Sequence, residues 1–341
     1  MHPIIAFIKL IRLPNLLIIA LTQYAIRFGL IYPILKEATE SNVLHLLLSE
    51  KLFFLLSLST VLIAAAGYII NDYFDVKIDR INRPQQIIIG KYIKRRVAMG
   101  GHIVLNTIAI ILAIYVAYEM NMLKLAAIQV LATGALWYYS VYFKKQVLIG
   151  NFLVALLAAL VPFVAGFYEL ILQHTFAERT VLQLLPHLEE QFSVNELMYI
   201  LKQNLSIIMK WVLGFSLFAF LSTMIREIIK DIEDYDGDKK YYSHTLPVAY
   251  GKNVAKKVAQ VFVIFMIIII GYLQYYQFRM GDIISIIYFI VMIQIPLGYV
   301  FYKISAAQEK SDYHFLSTIL KVIMLFGIGY LGLLYSIIST F

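Results

Sequence analysis

Of 341 residues, 61% are hydrophobic and 15% charged, with a formal net charge of +8 and no cysteine. A mean hydropathy of +0.78 excludes a soluble globular domain and points to a polytopic helical membrane protein. Without cysteine there are no disulfides, zinc–thiolate sites or thiol nucleophiles, so any metal must be held by oxygen or histidine.

Apolar runs recur near residues 14–35, 52–71, 98–118, 122–142, 146–170, 205–225, 258–278, 283–303 and 318–340. Each is long enough to cross ~30 Å of hydrocarbon at ~1.5 Å per residue. The expected fold is therefore all-α, a bundle of about nine transmembrane helices forming a single domain over 1–341. The first run lacks a small-residue cleavage site and reads as a retained span. After the fifth run, residues 174–204 form an insertion. Val181, Leu184, Leu185, Leu188 and Phe192 are spaced like one face of an amphipathic helix, Pro186 interrupts the pattern, and a short helical run starts near Val194. An interfacial or solvent-exposed insertion on the outer face is expected there.

Lys and Arg gather at alternate span ends. One side carries Lys9, Arg12, Arg80, Arg83, Lys94, Arg95, Arg96, Lys144, Lys145, Lys239, Lys240 and Lys303, and the other far fewer, such as Arg27, Lys51, Lys124 and Arg279. The positive-inside rule places the N-terminus and the richer side in the cytoplasm, in a multi-pass protein of the cell membrane. Basic residues so placed set orientation, and no nucleic-acid partner is expected.

Two acidic clusters stand at the ends of apolar runs. Ile69-Ile70-Asn71-Asp72-x-x-Asp75-x-x-x-Asp79 aligns without a gap on Ile228-Ile229-Lys230-Asp231-x-x-Asp234-x-x-x-Asp238, and each is followed by a Gly-Lys pair, Gly90-Lys91 and Gly251-Lys252. Matching loops in two halves of a membrane protein predict a site where the halves meet. On a helix, Asp72, Asp75 and Asp79 stand at i, i+3 and i+7, and Asn71 joins that face. Carboxylates so close repel unless something cationic sits among them, and magnesium, which prefers hard oxygen ligands and shares them with substrate phosphates, suits the site. Neither cluster has the glycine turn and closing glutamate of an EF-hand loop. The candidate metal set is Asn71, Asp72, Asp75, Asp79, Asp231, Asp234 and Asp238, whereas Glu233 and Asp236 fall off the common face and are expected in solvent. Arg83, Lys91, Lys144, Lys145 and Lys230 are candidate partners for phosphate oxygens.

At these residues the chain resembles the UbiA superfamily of intramembrane prenyltransferases. The first signature, NDxxDxxxD, is matched from Asn71 to Asp79 and continued by Arg80-Ile81-Asn82-Arg83-Pro84; the second, of DxxxD type, is matched by Asp234 and Asp238 and followed by Thr245-Leu246-Pro247. Arg12-Leu13-Pro14-Asn15, Tyr139-Ser140, Lys144-Lys145 and Gly150-Asn151 are supporting matches. The resemblance implies a bundle whose motif loops cap a central cavity and bind an isoprenyl diphosphate through Mg2+. Asp75, Asp79, Asp234 and Asp238 would be catalytic through the metal, with Asn15, Tyr139 and Asn151 on the substrates. Tyr139 and His244 are candidate acceptor-side groups, and Tyr68, Tyr73, Phe74, Tyr138 and Tyr139 could face a developing carbocation. The Arg226–Asp234 run looks most like the digeranylgeranylglyceryl phosphate synthase branch, which implies geranylgeranyl transfer to geranylgeranylglyceryl phosphate or another lipophilic hydroxyl acceptor. Alternatives are an aromatic-ring prenyltransferase of quinone biosynthesis and, less favoured because the acids avoid the middles of the spans, a cation-coupled transporter. After Arg83-Pro84 the chain departs from the family's further Asp-Arg-Pro and Pro-Ser-Gly, reading Gln85-Gln86-Ile87-Ile88-Ile89-Gly90.

Overall fold

In a computed structural model, residues 2–37, 45–184 and 193–339 are described. The elements in chain order begin with α1 (Pro3–Leu10), α2 (Leu13–Glu37), α3 (Glu50–Asn82), α4 (Arg95–Glu119) and α5 (Ala127–Val141). They continue with α6 (Ile149–Thr175), α7 (Ala177–Leu184), α8 (Val194–Glu233), α9 (Tyr235–Lys240), α10 (Leu246–Tyr250), α11 (Lys252–Arg279), α12 (Ile283–Ala306) and α13 (Lys310–Ile338). Among the described residues, 8 helices are long and apolar enough to cross a membrane. The ninth expected span is α5, whose 15 residues follow a single 3-10 turn, Leu123–Ala126.

The insertion differs from its expected form. Helix α8 is continuous over 40 residues, ~60 Å at ~1.5 Å per residue, and absorbs both the short run from Val194 and the sixth span. Lys202, Gln203, Asn204 and Lys210 break the hydropathy but not the helix, because Lys and Gln are good helix formers. Its start is fixed by a capping box: the Ser193 hydroxyl accepts from the Glu196 N–H, and the Glu196 carboxylate accepts from the Ser193 N–H. Val181 of α7 is fully buried in the main core, so this part of the insertion packs on the bundle rather than lying in solvent. Leu185, Pro186, Leu188 and Phe192 lie outside the described residues.

Small residues set the closest helix approaches. A Cβ on Gly166 of α6 would lie 2.4 Å from Val212 of α8, and one on Gly327 of α13 would lie 2.3 Å from Phe218 of α8. At the other end of the chain, Ala6 and Leu10 of α1 join Ile69 and Val76 of α3, Ile89, Ile93 and Ala98 in a second apolar cluster. This cluster seats α1 and the α3–α4 loop beside the acidic end of α3. Both repeat glycines take positive φ, 87° at Gly90 and 89° at Gly251, a conformation that a side chain would strain.

Candidate active site

A cavity of about 1030 Å³ runs between α2, α3, α5, α6, α8 and α13. Its depth is apolar, with Ile18, Leu136, Leu157, Val161 and Phe215 in its wall, and its mouth is charged. Helix α3 runs unbroken through Asn82, so Asn71, Asp72, Asp75 and Asp79 share one face and line the mouth. The second acid set is built differently. Helix α8 ends at Glu233, Asp234 caps it, and Asp238 lies on the separate helix α9. Asp231, Asp234 and Asp238 nevertheless line the same mouth as the first set.

Three acids are paired to cations across helices. Lys144, in the turn after α5, bonds the Asp75 carboxylate and donates to Asn71 Oδ1 at 3.1 Å, while Asn71 Nδ2 donates to Asp75 at 2.9 Å. Arg83 Nη2 donates to both carboxylate oxygens of Asp234, at 2.9 and 3.1 Å. Arg12 Nη2 donates to Asp72 at 2.8 Å, and its guanidinium lies 4.9 Å from the Tyr68 ring centroid. Burial works against the charged form of Lys144, yet the attraction of Asp75, with Tyr139 and Asp79 behind it, holds its ammonium above the usual lysine range.

The remaining acids have only neutral hydrogen-bond partners or none among the described residues. Asn151 Nδ2 donates to Asp231 at 2.8 Å, and Thr245 Oγ1 donates to Asp238 at 3.3 Å. Burial pushes the Asp238 carboxyl up to about 7; Lys144 pulls it down, and Asp234 and Asp75 push it further up. Among the described residues no three His, Cys, Asp or Glu side chains converge closely enough to enclose a metal by themselves. An octahedral magnesium ion shared with phosphate oxygens and water would need only one or two of the carboxylates that line the mouth.

Of the other expected site residues, Asn15, Arg83, Tyr139, Lys144, Lys145 and Lys230 line the cavity, as do Tyr68 and Phe74. Asn151 stands behind Asp231. Lys91 is exposed and outside the lining: the Gly90 turn, closed by Gly90 N–H donating to Ile93 O at 2.8 Å, leaves its ammonium 5.4 Å from the Tyr92 ring centroid. His244 is exposed too, and its contribution is a backbone N–H donated to Lys145 O at 2.8 Å. Tyr138 is exposed, while Tyr73 packs on Phe74 and under Arg95.

Several site residues escape a reading by spacing. Asn82 donates to Asp234 O and accepts from Gly237 N–H, both at 3.0 Å, and so ties the end of α3 to the α8–α9 corner. Glu233, expected in solvent, is buried beside Arg83 at 3.7 Å and His314 at 3.2 Å, because the end of α13 covers it; Asp236 is exposed as expected. Arg226, Glu227 and Lys321 also line the cavity. The one available hint was the Arg-Glu-x-x-Lys-Asp periodicity, which puts Arg226 or Glu227, Lys230 and Asp234 along one stripe of α8.

An apolar cavity with carboxylates and cations at one mouth defines a membrane-embedded site for an amphiphile with a charged head. Residues 43–326 match the UbiA prenyltransferase family. Among curated relatives, the digeranylgeranylglyceryl phosphate synthase of Methanosphaera stadtmanae is 33% identical over 271 residues, covering 79% of this chain and 82% of the relative. The protein of the same name from Saccharolobus solfataricus is 34% identical over 208 residues, covering 61% of this chain and 60% of the relative. A UbiA homolog from Archaeoglobus fulgidus, solved with DMAPP and Mg2+, has the same fold, with a TM-score of 0.56 at 18% identity over 97% of this chain and 99% of that one. A structure of a digeranylgeranylglyceryl phosphate synthase superposes with a TM-score of 0.54 at 23% identity over 98% and 99%. The chain belongs to the UbiA prenyltransferase family, and it is an enzyme, a multi-pass membrane prenyltransferase.

Proposed function

We propose that this enzyme transfers a geranylgeranyl group from its diphosphate, in a Mg2+-dependent reaction, to the free hydroxyl of geranylgeranylglyceryl phosphate or a closely related lipid alcohol. The observation that carries this reading is the convergence of both acid sets on the mouth of one apolar cavity, together with the name of the relative that aligns over most of both chains. Bound magnesium would neutralise the diphosphate and help it to leave. Asp75, Asp79, Asp234 and Asp238 would hold it, with Asn71, Asp72 and Asp231 completing the acid surface, and Arg83 and Lys144 would turn from their carboxylates toward phosphate oxygens. The allylic C–O bond breaks with its electron pair going to the diphosphate, the acceptor oxygen bonds to that carbon, and the hydroxyl proton passes to the departing diphosphate. The apolar depth excludes water from the cation, and Tyr68, Phe74 and Tyr139 offer ring faces near the mouth.

The helix ends that meet at the mouth are those rich in Lys and Arg, which supports a cytoplasmic mouth and N-terminus. Because the chain has no cysteine, one introduced at Asp236 reports the side directly: in inverted vesicles it reacts with an impermeant maleimide, and reaction only in right-side-out vesicles would reverse the orientation.

Mass analysis of products tests the acceptor. Purified enzyme given geranylgeranyl diphosphate and Mg2+ yields a diether from geranylgeranylglyceryl phosphate and nothing from aromatic acids; product from aromatic acids alone would make it a ring prenyltransferase. The Asp238 carboxyl adds a pH signature. Titrating near 7 without metal, it must lose its proton to bind a cation, so Mg2+ affinity rises from about pH 6 to about pH 8 and binding releases protons. Calorimetry in buffers of different ionisation heat reads this release, and an affinity independent of pH would remove Asp238 from the metal site.

A further inference from the structure

The charges around the cavity are of two kinds. At the mouth, Arg12, Arg83 and Lys144 are each matched by a carboxylate, while among the described residues Asp79, Asp231 and Asp238 have no cation bonded to them, so that wall is short of positive charge. On the adjoining wall the imbalance is reversed. Arg226 and Lys230 of α8 share a single carboxylate, Glu227, at 2.8 and 2.9 Å. Lys321 of α13 lines the same cavity, within electrostatic reach of Arg226, Lys230 and Arg12 and also of Glu227, and among the described residues it makes no ion pair of its own. All four side chains line the cavity, and Arg226 and Lys230 are only 19% and 21% exposed.

Glu227 offsets only one of these three positive charges, and the excess beside a low-dielectric wall favours a further anion there. Two polar atoms at the corner are also left without partners among the described residues: Arg226 Nε and, one turn earlier on α8, Thr223 Oγ1 are buried and make no hydrogen bond there. A buried guanidinium N–H with nothing to donate to is a costly arrangement, and a phosphate oxygen would relieve it.

We propose that Arg226, Lys230 and Lys321 form a second anion subsite that holds the phosphate monoester of the lipid acceptor, separate from the carboxylate wall that takes the metal-bound diphosphate of the donor. Glu227 is a positioning residue that fixes the Arg226 and Lys230 head groups. The proposal deepens the acceptor assignment above and rests on it. It also moves Lys230 from the donor diphosphate, where spacing alone had placed it, to the acceptor. Lys230 lies one helical turn and Arg226 two turns from Asp234, ~6 and ~12 Å along α8. The Arg226 and Lys230 side chains and the donor's own diphosphate take up most of this gap, and the glycerol between them carries its phosphate at the corner and its free hydroxyl toward the donor.

The test uses full-length enzyme in detergent with Arg226→Gln and Lys321→Gln. Binding of geranylgeranylglyceryl phosphate and of the same lipid lacking its phosphate is measured without donor or magnesium, and KM is then measured for each substrate. Each variant weakens binding of the phosphorylated lipid and raises its KM by about ten- to a hundredfold. Binding of the dephosphorylated lipid and the KM for the donor stay at wild-type values, which also shows that the variants are folded. If the variants bind the phosphorylated lipid like wild type, or if the donor KM rises instead, the subsite is wrong while the acceptor assignment stands. If wild-type enzyme neither binds nor prenylates that lipid, the acceptor assignment fails and the subsite falls with it. Inorganic phosphate supplies the last arm: it competes only at far higher concentration than the lipid, and equal potency would make this a site for a free anion.

Discussion

Asp75→Asn and Asp234→Asn each lower prenyl transfer by at least ~10³-fold in membranes supplied with Mg2+ and radiolabelled prenyl diphosphate. Asparagine preserves shape and hydrogen-bonding capacity, so the loss comes from charge. At 75 it removes the anion that holds Lys144 against Asn71, and at 234 it removes the bidentate partner of Arg83. Under the proposed mechanism each variant would weaken the hold on the cation and free a side chain, Lys144 or Arg83, from its carboxylate. Two controls separate these effects. Raising Mg2+ recovers part of the activity if metal affinity is what was lost, and Asp236→Asn, at an exposed position off the cavity, stays within about twofold of wild type. Turnover near the wild-type rate in both variants would remove the carboxylates from the chemistry.

Glu169→Ala has the largest expected effect on stability, ~3–5 kcal/mol. Arg27, in the π-helical turn of α2, is 1% exposed, and so is Glu169 of α6, 3.5 Å from it. The carboxylate also accepts from the N–H groups of Leu47 and Leu48, at 2.7 and 3.1 Å, and from Gln173 Nε2 at 2.9 Å. Arg27 in turn donates to Leu48 O at 2.6 Å and to Glu50 at 3.0 Å. Removing the carboxylate leaves the buried guanidinium with only the exposed Glu50 as a counter-charge and strands two backbone donors, a greater cost than losing the pair as a unit. The thermal midpoint in detergent falls accordingly. The double variant Arg27→Met with Glu169→Gln recovers part of the loss, because no lone charge is left and one acceptor remains for Leu47. A midpoint unchanged by Glu169→Ala would mean that water already reaches the pair.

Apolar run lengths disclosed α5 and the eight spanning helices among the described residues, and the repeated spacing of Asn71–Asp79 and Lys230–Asp238 disclosed which two helix ends face one cavity. Both are properties of the chain read along itself. Partners across helices were hidden, since nothing in Arg12 or Asn82 states that one will reach Asp72 and the other the backbone at Asp234 and Gly237. Helix α8 was misread because a hydropathy window registers Lys202 and Lys210 as a break, whereas a helix that leaves the lipid can carry lysines without interruption. Lys91 drew attention as half of a repeated Gly-Lys pair; the shared feature proves to be the glycine's backbone conformation, with the lysine directed to solvent. Glu233 was set aside by helical phase, which cannot foresee that α13 would close over it.

The Asn82 amide has a mechanical meaning. By bonding two backbone groups of the α8–α9 corner it couples the acidic end of α3 to the acidic end of α8, so that the two sets of carboxylates shift as a pair. Any displacement of one acidic set is then passed to the other through this amide.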